Sequence, residues 1–189
     1  MAPSLPHSVG PNPPTKIPIY PSTHLPIMLP PSIQIRDAKD SDAQGLITLI
    51  GGCFAEYPGC LMDAEGELPE LFSIATSFSN WKGHFWVAVE HGEVVGCIGY
   101  TPGKKPGYAE LKKLYVDKRV REHGLGGILC TLVENEATKQ GYTHIDLWSD
   151  TRFQTAHRFY QKRGYIKGPT TRLLHDISNT EEYYFEKPL

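Results

Sequence analysis

From Phe85 to Tyr100 the chain reads as two strands joined by a tight turn. FWVAVE and EVVGCIGY flank His91-Gly92, so a β-hairpin is predicted. A second turn, TPGKKPG (101–107), leads to YAELKKLYV. This segment alternates around Leu111 and Leu114 and predicts a strand over 108–116. The period then changes. Leu125, Ile128, Leu129, Leu132 and Val133 recur at helical spacing, which predicts an amphipathic helix over 125–140 closed by Gly141. A strand at His144–Trp148, a second amphipathic helix at Phe153–Arg163 ended by Gly164, a short strand at Tyr165–Lys167 and a last strand at Tyr183–Glu186 follow. Upstream, Ile33 and Ile35 begin a first strand. Asp40 or Ser41 is placed to cap a helix that runs to about residue 54, with Leu46, Leu49, Ile50 and Phe54 as its stripe. Tyr57-Pro58-Gly59 breaks that helix, and residues 60–80 read as irregular with a short helix around Pro69–Ser77.

Three hairpin-linked strands followed by strand, helix and strand predict an α/β fold. Its centre is a mixed, mostly antiparallel sheet of six to seven strands, with helices on both faces and one βαβ crossover. Residues 1–32 differ from the rest: they hold ten of the sixteen prolines and no acidic residue. Proline fixes φ and removes a donor, so this is read as a proline-rich N-terminal arm, partly anchored by Ile17, Ile19, Tyr20 and Leu25, ahead of a domain spanning 33–189.

Composition narrows the function classes. The chain has 189 residues, enough for one well-filled domain, and a formal net charge of −2. Nothing global favours nucleic acid or an anionic membrane as partner. No apolar run approaches ~18 residues, and the N-terminus lacks a secretory pattern, so a cytoplasmic protein is expected. Cys53, Cys60, Cys97 and Cys130 form no CxxC pair, so neither a metal site nor a dithiol motif is expected. Cys97 and Cys130 read as small core residues, and Cys53 and Cys60 as reduced thiols.

The strand–loop–helix at 108–140 presents free N–H groups at a helix N-terminus and so suits an anion. A P-loop would need GxxxxGK[ST], which is absent. A dinucleotide fingerprint matches Gly124 and Gly126, with Leu129 in place of the third glycine and Asp146 near the position of a ribose ligand. The meander of strands before the loop does not fit a doubly wound domain. Arg121-Glu122-His123-Gly124-Leu125-Gly126 is instead similar to the (Q/R)xxGx(G/A) signature of the GNAT superfamily of N-acetyltransferases. ELKKLYV (110–116) resembles the strand before that signature, and AHRFYQKRGY (156–165) resembles the family's later Axx(F/L)YxKxGF motif. The resemblance covers roughly residues 33–187 and is strongest over 108–166. Two positions depart from it. Glu122 stands where glycine is frequent, and Phe153 where an asparagine often contacts the pantetheine arm.

The resemblance implies a GNAT-like fold whose crossover carries the coenzyme A site, with acetyl-CoA as co-substrate and no metal. It implies that the amides of Arg121, Glu122, His123, Gly124, Leu125, Gly126 and Gly127 hold the pyrophosphate, with charge added by the Arg121 side chain. Leu114 and Val116 would offer backbone groups where two parallel strands splay, one N–H facing the developing oxyanion. Tyr160, with an ordinary pKa of ~10, would protonate the leaving thiolate, unless it is only a core aromatic. Glu110 is the candidate base, acting through water, or else a strand carboxylate paired with a lysine; His84, His144 and His157 are the alternatives. Glu110 shares a face with Leu114 unless a bulge intervenes. Asp150 either caps the next helix or pairs with Arg152, and Arg152 is a candidate receiver for a substrate carboxylate. Tyr57, Tyr183 and Tyr184 either line the acceptor pocket or pack. The expected reaction is acetyl transfer to the primary amine of a small molecule, with amino-acid-like amines among the candidates. A protein amine as acceptor and a non-catalytic acyl-CoA-binding module are the alternatives. Many relatives dimerise, so a homodimer is compatible with this reading.

Overall fold

The computed structural model describes residues 29–189; the expected proline-rich segment up to residue 28 lies outside the described residues. The elements are β1 (Ile33–Asp37), α1 (Ala43–Phe54), α2 (Ile74–Asn80), β2 (His84–Glu90), β3 (Glu93–Pro102), β4 (Tyr108–Val116), α3 (Leu125–Lys139), β5 (His144–Asp150), α4 (Gln154–Lys162), β6 (Ile166–Leu173) and β7 (Glu181–Pro188). Short 3-10 turns precede α1 and α2. The strands form one open seven-stranded sheet in the order β1-β2-β3-β4-β5-β7-β6. Every neighbouring pair is antiparallel except β4 and β5, which are joined through α3. This is the mixed sheet with a single crossover that the element order predicts. No helix among the described residues is long and apolar enough to cross a membrane.

Alternation along the strands supplies two cores. Trp86, Ala88, Ala109, Leu111, Ile145, Leu147 and Phe185 face α3 and α4, where Leu125, Leu129, Val133 and Tyr160 meet them. Phe85, Val87 and Cys97 face the other way, onto Leu46, Leu49 and Ile50 of α1 and Ile74 and Phe78 of α2. All four cysteines are buried free thiols.

Two expectations need correction. Neither Asp40 nor Ser41 caps α1. Asp40 instead accepts from the amide and hydroxyl of Thr76 (3.0 and 2.6 Å), tying the start of α1 to α2. Asp42 accepts from the Lys39 amide and forms a two-pronged pair with Arg36 (2.8 Å each). The strand after α4 is also longer than Tyr165–Lys167. β6 runs to Leu173, bulging between Lys167, opposite Phe185, and Thr171, opposite Tyr183. Gly168 and Pro169 sit in that bulge, and most of the strand is exposed, which hides it from a hydrophobicity pattern.

Candidate functional site

The site begins with an irregularity in β4. Gly99 pairs with Lys112, but two residues back along β3 Cys97 pairs with Tyr115, so β4 carries one extra residue. Lys113 absorbs it with φ 56. Its carbonyl accepts from the Cys97 thiol at 3.1 Å, and its ammonium pairs with Glu70 at 2.7 Å. Gly99 opposite is required by packing, because a Cβ there would lie 2.5 Å from the Phe85 ring and 2.6 Å from Phe78. The bulge exchanges the faces of the strand. Ala109 and Leu111 point to the α3 side before it, and Leu114 and Val116 after it. Glu110 and Leu114 therefore stand on opposite faces, reversing the relation that plain alternation gives.

Beside the bulge the parallel strands separate. β4 and β5 pair only from Tyr108–His144 to Glu110–Asp146. Beyond that point β5 continues against β7, and among the described residues β4 has no strand on its β5 side. A cleft of about 600 Å³ lies there, lined by Leu114, Tyr115, Phe54, Ser149, Phe153 and Tyr160 among others. Glu110 lines it too, is 9% exposed, and holds Lys112 at 2.7 Å. The lysine pairing is the second of the two sequence readings of Glu110, and the same residue also lines the cleft. Tyr160 enters from α4. It is 5% exposed, and burial pushes its phenol well above the ordinary tyrosine value, so it stays protonated at neutral pH. Its ring also contributes to the core, against Tyr165 and Phe185.

The loop into α3 lies at one end of this arrangement. Glu122 (φ 71) and Gly124 (φ 79) both adopt the left-handed conformation, which explains why glycine suits position 122. Glu122 and His123 are exposed. Gly124 is the N-cap and supplies no side-chain acceptor. The first backbone bond of the helix runs from the Ile128 amide to the Gly124 carbonyl, so the amides of Leu125, Gly126 and Gly127 precede the intrahelical ladder. A Cβ at Gly126 or Gly127 would meet only ordinary contacts, 3.7 Å or more away. Core packing does not demand glycine at either position, and the pair leaves the amides open to an anion. These residues fit a coenzyme A pyrophosphate.

Arg121 departs from expectation. Its Nε donates to the Val116 carbonyl at 2.8 Å, and its two terminal nitrogens donate to Glu56 at 2.6 and 2.7 Å. The charge expected for the anion is neutralised by a carboxylate from beyond α1, and the Val116 carbonyl is already engaged. Glu56 has no motif around it that could have flagged this role.

The acceptor side is corrected more sharply. Asp150 is buried but does not cap α4, whose N-cap is Phe153. It accepts from the Arg152 amide, Nε and Nη2. Arg152 also donates to the Gly59 carbonyl (2.7 Å), the Ser178 carbonyl (3.5 Å) and Thr180 Oγ1 (3.0 Å). All three of its nitrogens serve the protein, and no donor remains for a substrate carboxylate. Tyr57 packs on Phe153 (4.7 Å between rings) behind the lining rather than in it. His84 pairs with Asp37, His144 stacks on Tyr108 and His157 meets the Asp150 carbonyl. None of the three lines the cleft. Phe54, read from the sequence only as part of the α1 stripe, does line it, as do Trp81, Leu174 and Asp176, which the sequence reading does not single out.

Comparison with known proteins places the chain in a family. The sequence profile of the Acetyltransferase (GNAT) family matches residues 48–165. Rat N-acetyltransferase family 8 member 2 is 34% identical over 102 residues, covering 52% of this chain and 45% of the rat protein. Human N-acetyltransferase 8 is 32% identical over 103 residues, covering 52% and 45%. The chain thus spans about half the length of the curated relatives it matches. An acetyltransferase structure from Streptococcus agalactiae superposes with a TM-score of 0.71 at 23% identity, covering 84% of this chain and 99% of that one. The PaiA N-acetyltransferase of Thermoplasma acidophilum, solved in complex with coenzyme A, superposes with a TM-score of 0.64 at 22% identity, covering 84% and 99%.

Proposed function

The chain belongs to the GNAT acetyltransferase family, and on that premise we propose that it transfers an acetyl group from acetyl-CoA to the primary amine of a small molecule. The observation that carries this is the separation of β4 from β5 above Glu110 and Asp146, with the open N-terminus of α3 beside the end of β4, where a Cβ at Gly126 would lie 3.8 Å from Val116. When bound, acetyl-CoA supplies the acyl group as an activated thioester. The amides of Leu125, Gly126 and Gly127 hold its pyrophosphate, assisted by the positive end of the α3 dipole. The unpartnered β4 edge after the bulge orients the pantetheine arm, and the Leu114 N–H serves the oxyanion. Glu110 removes a proton from the acceptor ammonium, directly or through water. Tyr160 donates its hydroxyl proton to the departing sulfur.

Arg152 commits its donors to the protein and so does not itself favour an amino-acid acceptor. The test is an amine panel read by release of the coenzyme A thiol, with amino acids, polyamines, aminoglycosides and a histone-tail peptide. Turnover of at least one small amine is expected, and Tyr160→Phe should lower kcat by about 10²–10⁴ while leaving the fold intact. Transfer confined to the peptide would reverse the choice of acceptor class. Undiminished turnover in Tyr160→Phe would remove Tyr160 from the mechanism.

A further inference from the structure

At the point where β4 and β5 part, a second carboxylate lies beside Glu110. Asp146 is its register partner on β5. Their chain neighbours Ala109, Leu111, Ile145 and Leu147 all face the α3 core, so both carboxylates stand side by side on the opposite face. Asp146 is 6% exposed, and its Oδ1 is buried with no hydrogen-bond partner among the described residues. Its Oδ2 lies 3.0 Å from the Tyr184 hydroxyl, which in turn lies 2.8 Å from Glu186 Oε2. Lys105 donates to the Tyr184 oxygen at 2.8 Å and to Glu186 at 2.9 Å.

Counting protons shows what this chain of contacts requires. A tyrosine hydroxyl has one hydrogen to donate, yet Tyr184 sits between two carboxylate oxygens. The second contact needs a proton from one of the acids. Glu186 faces Lys105 and solvent, and that ammonium holds its carboxyl below the usual range. Among the described residues no cation is in contact with Asp146, and Lys105 acts on it only at longer range. Burial, reinforced by the neighbouring Glu110 charge, pushes its carboxyl above the usual range. The groups facing Asp146 are Lys105 from the β3–β4 turn, Glu110 from β4, and Tyr184 and Glu186 from β7; Tyr108 borders Glu186.

We propose that Asp146 is held as a neutral acid and relays the proton collected by Glu110 to the surface through Tyr184 and Glu186. This rests on the acetyl-transfer reading above. The acceptor ammonium gives its proton to Glu110. Asp146 takes that proton on Oδ1 as it releases its own from Oδ2 to Tyr184, and Tyr184 passes its hydroxyl proton to Glu186. Glu186 then sheds the proton to water. The free amine is left to attack, and each residue ends with the proton count it began with. Asp146 and Tyr184 touch neither substrate in this scheme; they are positioning residues acting through Glu110.

Two measurements test it. Infrared difference spectra of Asp146→Asn against the wild-type chain should show loss of a neutral carboxylic-acid carbonyl band at pH 7; this needs no substrate. In the acetyl-transfer assay, Asp146→Asn and Tyr184→Phe should each lose about tenfold or more in kcat at neutral pH, with the KM for acetyl-CoA unchanged. The loss should shrink as pH approaches the acceptor amine's own pKa, where no proton need be removed. A purely structural defect would not recover in this way. No lost band, or a deficit in both folded variants that does not change with pH, overturns the relay. A wild-type chain that releases no coenzyme A from any amine overturns the acetyl-transfer reading instead, and the band separates the two failures.

Discussion

Arg152 draws three parts of the chain together through one guanidinium. Asp150 lies at the end of β5, Gly59 in the segment after α1, and Ser178 and Thr180 in the loop before β7. All three parts contribute residues to the lining of the cleft, and Arg152 itself is not among them. Asp150 has a side chain only 7% exposed, and removing its partner leaves a carboxylate with little access to water. Arg152→Met is expected to cost about 3 kcal/mol of stability, read by chemical denaturation. It should depress turnover of amines with and without a carboxylate to the same degree. A selective loss for amino acids would restore Arg152 as a substrate ligand. Arg121 follows the same logic: a residue whose type suits an anion is bound to Glu56 within the protein.

At the level of elements, the bulge in β4 does most to create the site. It turns Leu114 and Val116 toward α3, keeps Glu110 on the opposite face, and lies just past the last paired residues of β4 and β5. Lys113 maintains it at φ 56, a conformation that a β-branched residue resists strongly. Lys113→Val should therefore cost more than the lost Glu70 pair alone, and should impair acetyl-CoA binding measured by calorimetry. Lys113→Gly loses the same pair but accepts the backbone, so binding should be largely retained. In the loop before α3, Glu122→Gly replaces a left-handed non-glycine residue and removes a carboxylate near the proposed anion site. It should tighten acetyl-CoA binding and leave stability unchanged or slightly raised, because the backbone relief is offset by glycine's freedom in the unfolded chain.

The whole molecule couples folding to pH through groups that act in opposite directions. Burial depresses the His157 imidazole below its ordinary value of 6.5. Its contribution is complete above 6.5 and is lost as pH falls through the lower folded-state value. Asp42, lowered chiefly by its hydrogen bonds to Arg36, adds stability that is lost below 3.8. Asp146 is raised, so its contribution runs the other way and declines as pH climbs above 3.8 through the folded-state value. Between pH 7 and 5 His157 and Asp146 act against each other, so His157→Gln should make the denaturation midpoint fall less, or rise more, than that of the wild-type chain over this range. An identical change with pH in the variant would mean that His157 contributes nothing to it.

The order of elements was readable from the chain because it rests on local periodicity. The hairpin around His91-Gly92, the stripe of α3 and the alternation of β4 each repeat within one element, so the mixed sheet with its single crossover followed from them. The open α3 N-terminus was readable for the same reason, since its glycines, Gly124, Gly126 and Gly127, fall within four consecutive residues. β6 was not, because an exposed edge strand interrupted by Gly168 and Pro169 carries no hydrophobic period. The amino-acid sequence by itself set which segments form strands and helices, and which loop is suited to a phosphate. Tertiary structure alone decided the state of each charged side chain. Arg152 is locked into the scaffold, Arg121 is neutralised by a residue 65 positions away, and Asp146 is buried beside Glu110. The physical reason is that a side chain's spacing along the chain does not report its partners. Desolvation and hydrogen bonding fix its charge, and both depend on what distant segments bring to it.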